Sequence, residues 1–202
     1  PLLSRGDCLR RQRPADFVLV MDTSSSMAEA AGEGLAGDKL AAARAAAAAF
    51  LDALPLGRDR AAIVAFDAEA RILAPLSADR ARLDEALAAL APRPGTRIDL
   101  GLAAAGELLA AQPRPGSLRA VILLTDGFQG AEAPLEAVLA AAADLRSRGH
   151  APYAIALGDR VDLDILAAVV GDPARLYRSP TAQELAAITL RLAADLSCAG
   201  GD

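Results

Sequence analysis

Short apolar runs alternate along the chain with longer segments rich in alanine and leucine. The apolar runs are typical of strands, and they lie at 16–21, 59–67, 69–76, 118–127, 151–159 and 174–180. The other segments are typical of helices, and they lie at 38–55, 77–92, 96–113, 134–149, 162–172 and 181–197. The short connection between the second and third strands predicts a hairpin. The alternation predicts an α/β fold: a doubly wound, mostly parallel six-stranded sheet with one antiparallel edge strand and helices on both faces.

Acidic and hydroxyl residues follow two of the predicted strands. In open α/β sheets, ligands bind outside the carboxyl ends of the strands. Asp22 follows the first strand, and Asp126 follows the apolar run VILLT. Ser24 and Ser26 alternate with Asp22, so a turn there can direct the three side chains the same way. Taken singly, each residue also suits a helix cap. Together they offer hard oxygen ligands, which suit Mg²⁺ or Mn²⁺ better than zinc or copper.

Composition and charge favour a single globular domain. The chain has 202 residues, of which 53% are hydrophobic and 3% aromatic, so alanine, leucine and valine must build the core. We predict one domain at 16–198, an N-terminal extension at 1–15 and a tail at 199–202. A net charge of −5 with scattered arginines offers no basic surface for nucleic acid. No segment suits membrane insertion, and the chain begins at proline, so we expect a monomeric domain of a larger protein.

The two cysteines, Cys8 and Cys198, stand near opposite ends of the chain. The termini of compact domains are often close in space, so a disulfide between these residues is geometrically feasible; two free thiols are the alternative. A disulfide implies an oxidising compartment, which favours an extracytoplasmic location, either secreted or on the cell surface.

Three motifs, in order along the chain, resemble the metal-ion-dependent adhesion site of a von Willebrand factor type A domain, which has a Rossmann-like fold. DTSSS matches the first signature, Asp-x-Ser-x-Ser, at Asp22, Ser24 and Ser26. PGT ends at Thr96 and matches a threonine in a separate loop. LLTDG matches an aspartate after the central apolar strand, at Asp126. The order of predicted strands and helices fits the same family over nearly the whole chain.

The resemblance implies a role for each matched residue. Ser24, Ser26 and Thr96 would offer hydroxyl oxygens to a Mg²⁺ or Mn²⁺ ion. Asp22 and Asp126 would act directly or through waters. The remaining position on the ion would take an acidic group from a partner protein. The expected function is therefore divalent-metal-dependent protein binding, as in cell adhesion, without catalysis.

Two other functions remain open. A phosphohydrolase would use Asp22 as nucleophile and Mg²⁺ as Lewis acid. The sequence shows no well-placed general acid or base for it, and no glycine-rich phosphate loop after a strand. Type A domains also serve in intracellular assemblies linked to ATPases. Cysteines that join the two ends occur in several extracellular members, so a Cys8–Cys198 bridge would count against that function, whereas reduced cysteines would support it.

Four other polar features lie outside the predicted set of metal ligands. We expect Asp67 to shape its own turn, with a hydrogen bond near the site as the alternative. We expect Asp99 to cap the helix that follows Thr96, and His150 to be a solvated turn residue. The RGD tripeptide at 5–7 matches an integrin-recognition sequence, but three residues recur by chance too often to predict binding.

Overall fold

The structure is a computed structural model that describes residues 13–30, 37–127, 134–158 and 161–179, together with residues 187, 188 and 192. Both cysteines, the RGD tripeptide and most of the predicted final helix lie outside these residues. The strands are β1 (Ala15–Asp22), β2 (Arg60–Phe66), β3 (Ala70–Ser77), β4 (Leu118–Thr125), β5 (Ala151–Leu157) and β6 (Leu176–Ser179). The helices are α1 (Lys39–Ala53), α2 (Arg80–Ala88), α3 (Ile98–Ala111), α4 (Leu135–Ser147) and α5 (Leu163–Val170), with short 3₁₀ helices at Ser25–Ala28 and Pro173–Arg175.

The six strands form one sheet in the order β3-β2-β1-β4-β5-β6. Every neighbouring pair is parallel except β2 and β3, so the antiparallel strand β3 lies at one edge. The chain builds outward from β1 in one direction through β2 and in the other through β4, which makes the boundary between β1 and β4 the switch point of the sheet. The predicted fold class is therefore confirmed.

Helices cover both faces of the sheet and bury β1 completely. All eight residues of β1 are buried. On one face, Phe17 packs edge-on against Phe50 of α1, with ring centroids 5.3 Å apart. On the other face, Val18 and Val20 belong to a core that includes Leu102 of α3. Alternate residues of β1 thus belong to two different cores, which explains its continuous apolar sequence. None of the described helices is long and apolar enough to cross a membrane.

His150 is buried, so its prediction as a solvated turn residue is wrong. It is 4% exposed, and neither ring nitrogen has a hydrogen-bond partner among the described residues. Its backbone N–H donates to the carbonyl of Leu145 at 3.0 Å, which folds the turn after α4 back towards the sheet. Burial lowers the pKa of the ring, and the positive charges of Arg119 and Arg148 lower it further, so the fold favours neutral histidine.

Gly101 allows α3 to approach the sheet closely. A Cβ atom at this position would lie 2.9 Å from Val20 Cγ1 and 3.0 Å from the ring of Phe66. Val20 is β-branched and lies in the central strand, so it has little freedom to move away. Because α3 begins two residues after Thr96, the distance between this helix and the sheet also affects the position of the loop that contains Thr96.

We expect Gly101→Ala to lower the free energy of unfolding by about 1–3 kcal/mol, because the added methyl group must displace Val20 and Phe66 in a packed core. This loss should outweigh the better helix propensity of alanine, which is worth about 1 kcal/mol. Urea unfolding measures the difference, with Gly57→Ala as a control at a position where a Cβ meets no atom within 4 Å. Equal stability of Gly101→Ala and the parent chain would show that α3 can move outward without cost.

Candidate metal centre

Four of the five predicted site residues come together at the carboxyl ends of β1 and β4. Asp22 is the last residue of β1, and Asp126 directly follows β4, its neighbour in the sheet. Ser24 is the N-cap of the first 3₁₀ helix, and Ser26 lies within that helix. The short helix therefore turns the chain back towards the end of β4 as soon as β1 ends.

Hydrogen bonds join the two serines to Asp126. Ser24 Oγ lies 3.0 Å from Ser26 Oγ. Ser26 Oγ donates to Asp126 Oδ1, also at 3.0 Å. These two motifs are about 100 positions apart in the sequence, yet their oxygens form one continuous chain. The expected convergence of the first and third motifs is thus present in the structure.

Asp22 is fully buried beneath these serines. Its Oδ1 accepts from the Ser24 N–H at 2.8 Å, and its Oδ2 accepts from Thr125 Oγ1 at 2.5 Å. Burial raises the pKa of Asp22 to about 6, and the charge of Asp126 adds to this increase, whereas hydrogen bonds from Ser24 and Thr125 oppose it. Within the described residues, every hydrogen-bond partner of Asp22 is neutral. The carboxylate therefore has no counterion in this part of the chain.

Thr96 lies in a separate loop that backbone hydrogen bonds attach to the ends of β1 and β2. The Arg93 N–H donates to the carbonyl of Thr23 at 2.7 Å, and the Arg97 N–H donates to that of Asp67 at 2.7 Å. Thr96 itself is half-buried. Among the described residues, no hydrogen bond joins its hydroxyl to the other four predicted site residues. The loop is thus placed beside Thr23, next to Ser24, while direct contact by Thr96 stays a prediction.

Lys39 is part of the same cluster and was not predicted from the sequence. Its Nζ donates to Asp126 Oδ2 at 2.9 Å and to Glu29 Oε2 at 3.1 Å. Burial lowers the pKa of Lys39, but the bonds to Asp126 and Glu29 outweigh this and raise it overall. The available signal was its place as the first residue of α1, since this helix follows the loop after β1 and starts near the site.

Asp67 and Asp99 lie next to this cluster. Asp67 accepts from the Glu69 N–H at 3.2 Å, which confirms that it shapes its own turn, and it also accepts from Thr23 Oγ1 at 3.0 Å. Asp99 does not cap α3 as predicted, because the cap position is occupied by Arg97. Asp99 instead lies in the first turn and forms an ion pair with the Arg97 guanidinium at 2.7 Å.

The donor set of this cluster fits a hard cation. Among the described residues, no group of three or more His, Cys, Asp and Glu side chains could hold a metal ion. The cluster instead combines two carboxylates with neutral hydroxyls, and oxygen donors of this kind suit Mg²⁺ and Mn²⁺. The buried Asp22 adds a negative charge that its neutral neighbours do not balance. The residues present therefore fit a divalent metal ion in both donor type and charge.

The family model of the von Willebrand factor type A domain matches residues 17–129, which is more than half of the chain and includes all five predicted site positions. The chain therefore belongs to the von Willebrand factor type A domain family, as its motifs predict. No protein with a curated description matches it significantly.

Several solved structures have the same fold as this chain. A von Willebrand factor type A protein from Catenulispora acidiphila is 23% identical with a TM-score of 0.78, over 92% of this chain and 43% of that one. Proximal thread matrix protein 1 from the mussel byssus, with a zinc-occupied MIDAS motif (the metal-ion-dependent adhesion site), is 20% identical with a TM-score of 0.76, over 93% and 48%. The pilus adhesin SpaC from Lactobacillus rhamnosus GG is 18% identical with a TM-score of 0.75, over 92% and 30%. At these identities the likeness shows the fold alone.

We expect Asp22→Asn to gain stability relative to the parent chain as the pH rises, when both proteins are kept metal-free with chelator. The pKa of Asp22 is raised in the folded state, so the folded state holds this proton more tightly than the unfolded state. Stability from this group is therefore complete below pH 3.8 and is lost as the pH rises to about 6. The difference in unfolding free energy between Asp22→Asn and the parent should shift in favour of the variant by on the order of 2 kcal/mol between pH 4 and 7.

Asp67→Asn provides a control with the opposite sign at the same edge of the sheet. Burial raises the pKa of Asp67, but the hydrogen bonds from Arg71, Glu69 and Thr23 outweigh burial and lower it overall. Its ionised form thus stabilises the fold. As the pH rises, Asp67→Asn should therefore lose stability relative to the parent chain. Urea unfolding at each pH measures both differences. If the free energies of unfolding of Asp22→Asn and the parent chain changed with pH in the same way, Asp22 would not carry an uncompensated charge.

Proposed function

We propose that this domain is a protein-binding module that depends on a divalent metal ion held by Asp22, Ser24, Ser26, Thr96 and Asp126. The main support is the continuous chain of oxygens from Ser24 through Ser26 to Asp126, directly above the buried Asp22. It lies at the switch point of the sheet, where ligands of doubly wound folds bind.

The chemistry of the ligands favours capture of an acidic partner. Three of the five proposed ligands are neutral hydroxyls, and one of the two carboxylates, Asp126, already contacts the ammonium of Lys39. When bound, the ion would keep much of its positive charge and could accept a carboxylate oxygen from another molecule. Ser26 is half-buried and lies in the 3₁₀ helix just beyond the end of β1, so a partner can reach it. We therefore propose a protein ligand with an acidic side chain.

The position of Asp22 favours binding over hydrolysis. A phosphohydrolase would need this carboxylate as an accessible nucleophile. Asp22 is 0% exposed, and both of its oxygens accept hydrogen bonds. A role in supporting the metal ligands agrees with this burial. The extracytoplasmic location depends on Cys8 and Cys198, which lie outside the described residues, and it stays a prediction alongside the alternative of an intracellular assembly.

We expect Ser26→Ala to weaken metal binding by about tenfold or more, because it removes a proposed ligand and the donor to Asp126. Isothermal titration calorimetry with Mg²⁺, Mn²⁺ and Zn²⁺ measures the affinity. Zn²⁺ is included because of the zinc-occupied relative. Ser25→Ala is the matched control: Ser25 is the intervening serine and its side chain is exposed. Absence of binding heat in the parent chain, together with the same melting temperature in chelator and in excess metal, would contradict the proposal.

We expect a glutamate-containing peptide to bind the immobilised domain only when Mg²⁺ or Mn²⁺ is present, because its carboxylate would complete the coordination of the ion. Surface plasmon resonance compares this peptide with the same sequence carrying glutamine in place of each glutamate. The glutamine peptide removes the charge at almost constant shape. Equal binding of the two peptides, or binding that persists in chelator, would contradict metal-dependent recognition of an acid.

A further inference from the structure

Lys39 places a positive charge inside the proposed metal site. It is the only lysine of the chain. Its side chain is 14% exposed, and that of its partner Asp126 is 3% exposed. The side chain also passes the end of β5, where a Cβ built on Gly158 would lie 3.6 Å from Lys39 Cε. The ammonium is thus held at the rim shared by β1, β4 and β5.

The position of Lys39 in its helix does not favour a positive charge. Lys39 is the first residue of α1, where the helix macrodipole disfavours cations. Two carboxylates compensate for this: Asp126 Oδ2 at 2.9 Å and Glu29 Oε2 at 3.1 Å. Because Lys39 and Asp126 are both largely shielded from water, solvent screens their attraction weakly. The ammonium therefore interacts with the site and is more than a solvated surface charge.

Both oxygens of Asp126 already have partners. Ser26 donates to Oδ1, and Lys39 donates to Oδ2. A divalent ion held by Ser26 and Asp126 would lie near the ammonium, and two cations at such a distance repel each other. The second partner of Lys39, Glu29, is 52% exposed and lies outside the set of proposed metal ligands. Glu29 can therefore retain the ammonium of Lys39 when Asp126 binds the metal ion.

We propose that Lys39 is an internal cation that neutralises Asp126 in the metal-free domain and is exchanged for the divalent ion when the site is loaded, with the ammonium retained by Glu29. This rests on the proposed metal-dependent function and adds a regulation of the same site. The exchange lowers the affinity for metal, because loading must break the contact between Lys39 and Asp126. It also avoids leaving the buried Asp126 unpaired when metal is scarce.

Metal affinity tests the exchange directly. Lys39→Met removes the ammonium and keeps an unbranched chain, and we expect it to bind Mg²⁺ about tenfold more tightly or better. Lys39→Arg keeps the charge and should stay close to the parent chain. Arg148→Met is the control for overall charge, because Arg148 pairs with Asp144 at 2.8 Å on the surface and is 45% exposed. An affinity of Lys39→Met that equals or falls below that of the parent would overturn the exchange.

A second measurement uses the parent chain and does not depend on a folded variant. Because the chain has one lysine, peptide mass spectrometry can follow acylation of Lys39 alone. We expect the acylation rate to rise several-fold on addition of Mg²⁺, since the ammonium leaves the shielded contact with Asp126 for the exposed Glu29. Ser26→Ala, with its weakened site, should show little change at the same Mg²⁺ concentration. A rate that Mg²⁺ leaves unchanged in the parent chain would overturn the exchange.

The outcomes separate this inference from the function on which it rests. If the parent chain binds metal and Lys39→Met binds no more tightly, the exchange is wrong and the metal site stands. If neither protein binds Mg²⁺, Mn²⁺ or Zn²⁺, the proposed metal site is wrong and the exchange fails with it. Binding in both proteins that is about tenfold tighter in Lys39→Met than in the parent chain would support both.

Discussion

The hydrogen bond between Asp22 and Thr125 joins β1 and β4, the two central strands between which the strand order reverses. Asp22 Oδ2 accepts from Thr125 at 2.5 Å, and its other oxygen accepts from the Ser24 N–H at 2.8 Å. One buried carboxylate thus attaches the end of β1 to the end of β4 and begins the turn that presents Ser24 and Ser26. Because Asp126 follows Thr125 directly, the same contact places Asp126 within reach of Ser26. The geometry of the candidate site therefore depends on its most deeply buried member.

Each end of β1 buries a carboxylate, but within the described residues only Asp16, at the start of the strand, is paired with cations. Asp16 is 1% exposed and pairs with Arg60 and Arg114, each at 2.8 Å. These contacts attach the start of β1 to β2 and to the loop before β4, so Asp16 has a structural role. Asp22 is equally buried, yet its hydrogen-bond partners in the described residues are neutral. A buried charge without a counterion is costly. The buried charge of Asp22 therefore destabilises the carboxyl end of β1, and this is also the end where a cation fits.

The sheet and the places of Asp22 and Asp126 were predictable because they depend on local patterns. Continuous apolar runs identify buried strands, and residues that follow neighbouring parallel strands meet at one edge. The predictions that failed concern side chains whose environment depends on contacts with residues distant in the sequence. His150 follows a turn and looks exposed in sequence, but the chain folds it back under α4. Asp99 has the residue type of a cap, but an ion pair uses its carboxylate. Lys39 was missed because its partner Asp126 is 87 positions away.

The balance of charge in the proposed site favours reversible binding of its ion. Affinity for hard cations in proteins rises with the number of charged ligands and with the rigidity of the site. Here the proposed charged ligands are Asp22 and Asp126, and Lys39 offsets part of their charge. An acidic group from a partner would then supply a large share of the missing negative charge. Ion and partner would each bind weakly alone and more strongly together, and this coupling is reciprocal. Such cooperativity would follow from the shortage of negative charge in the proposed site and would require no change in the fold.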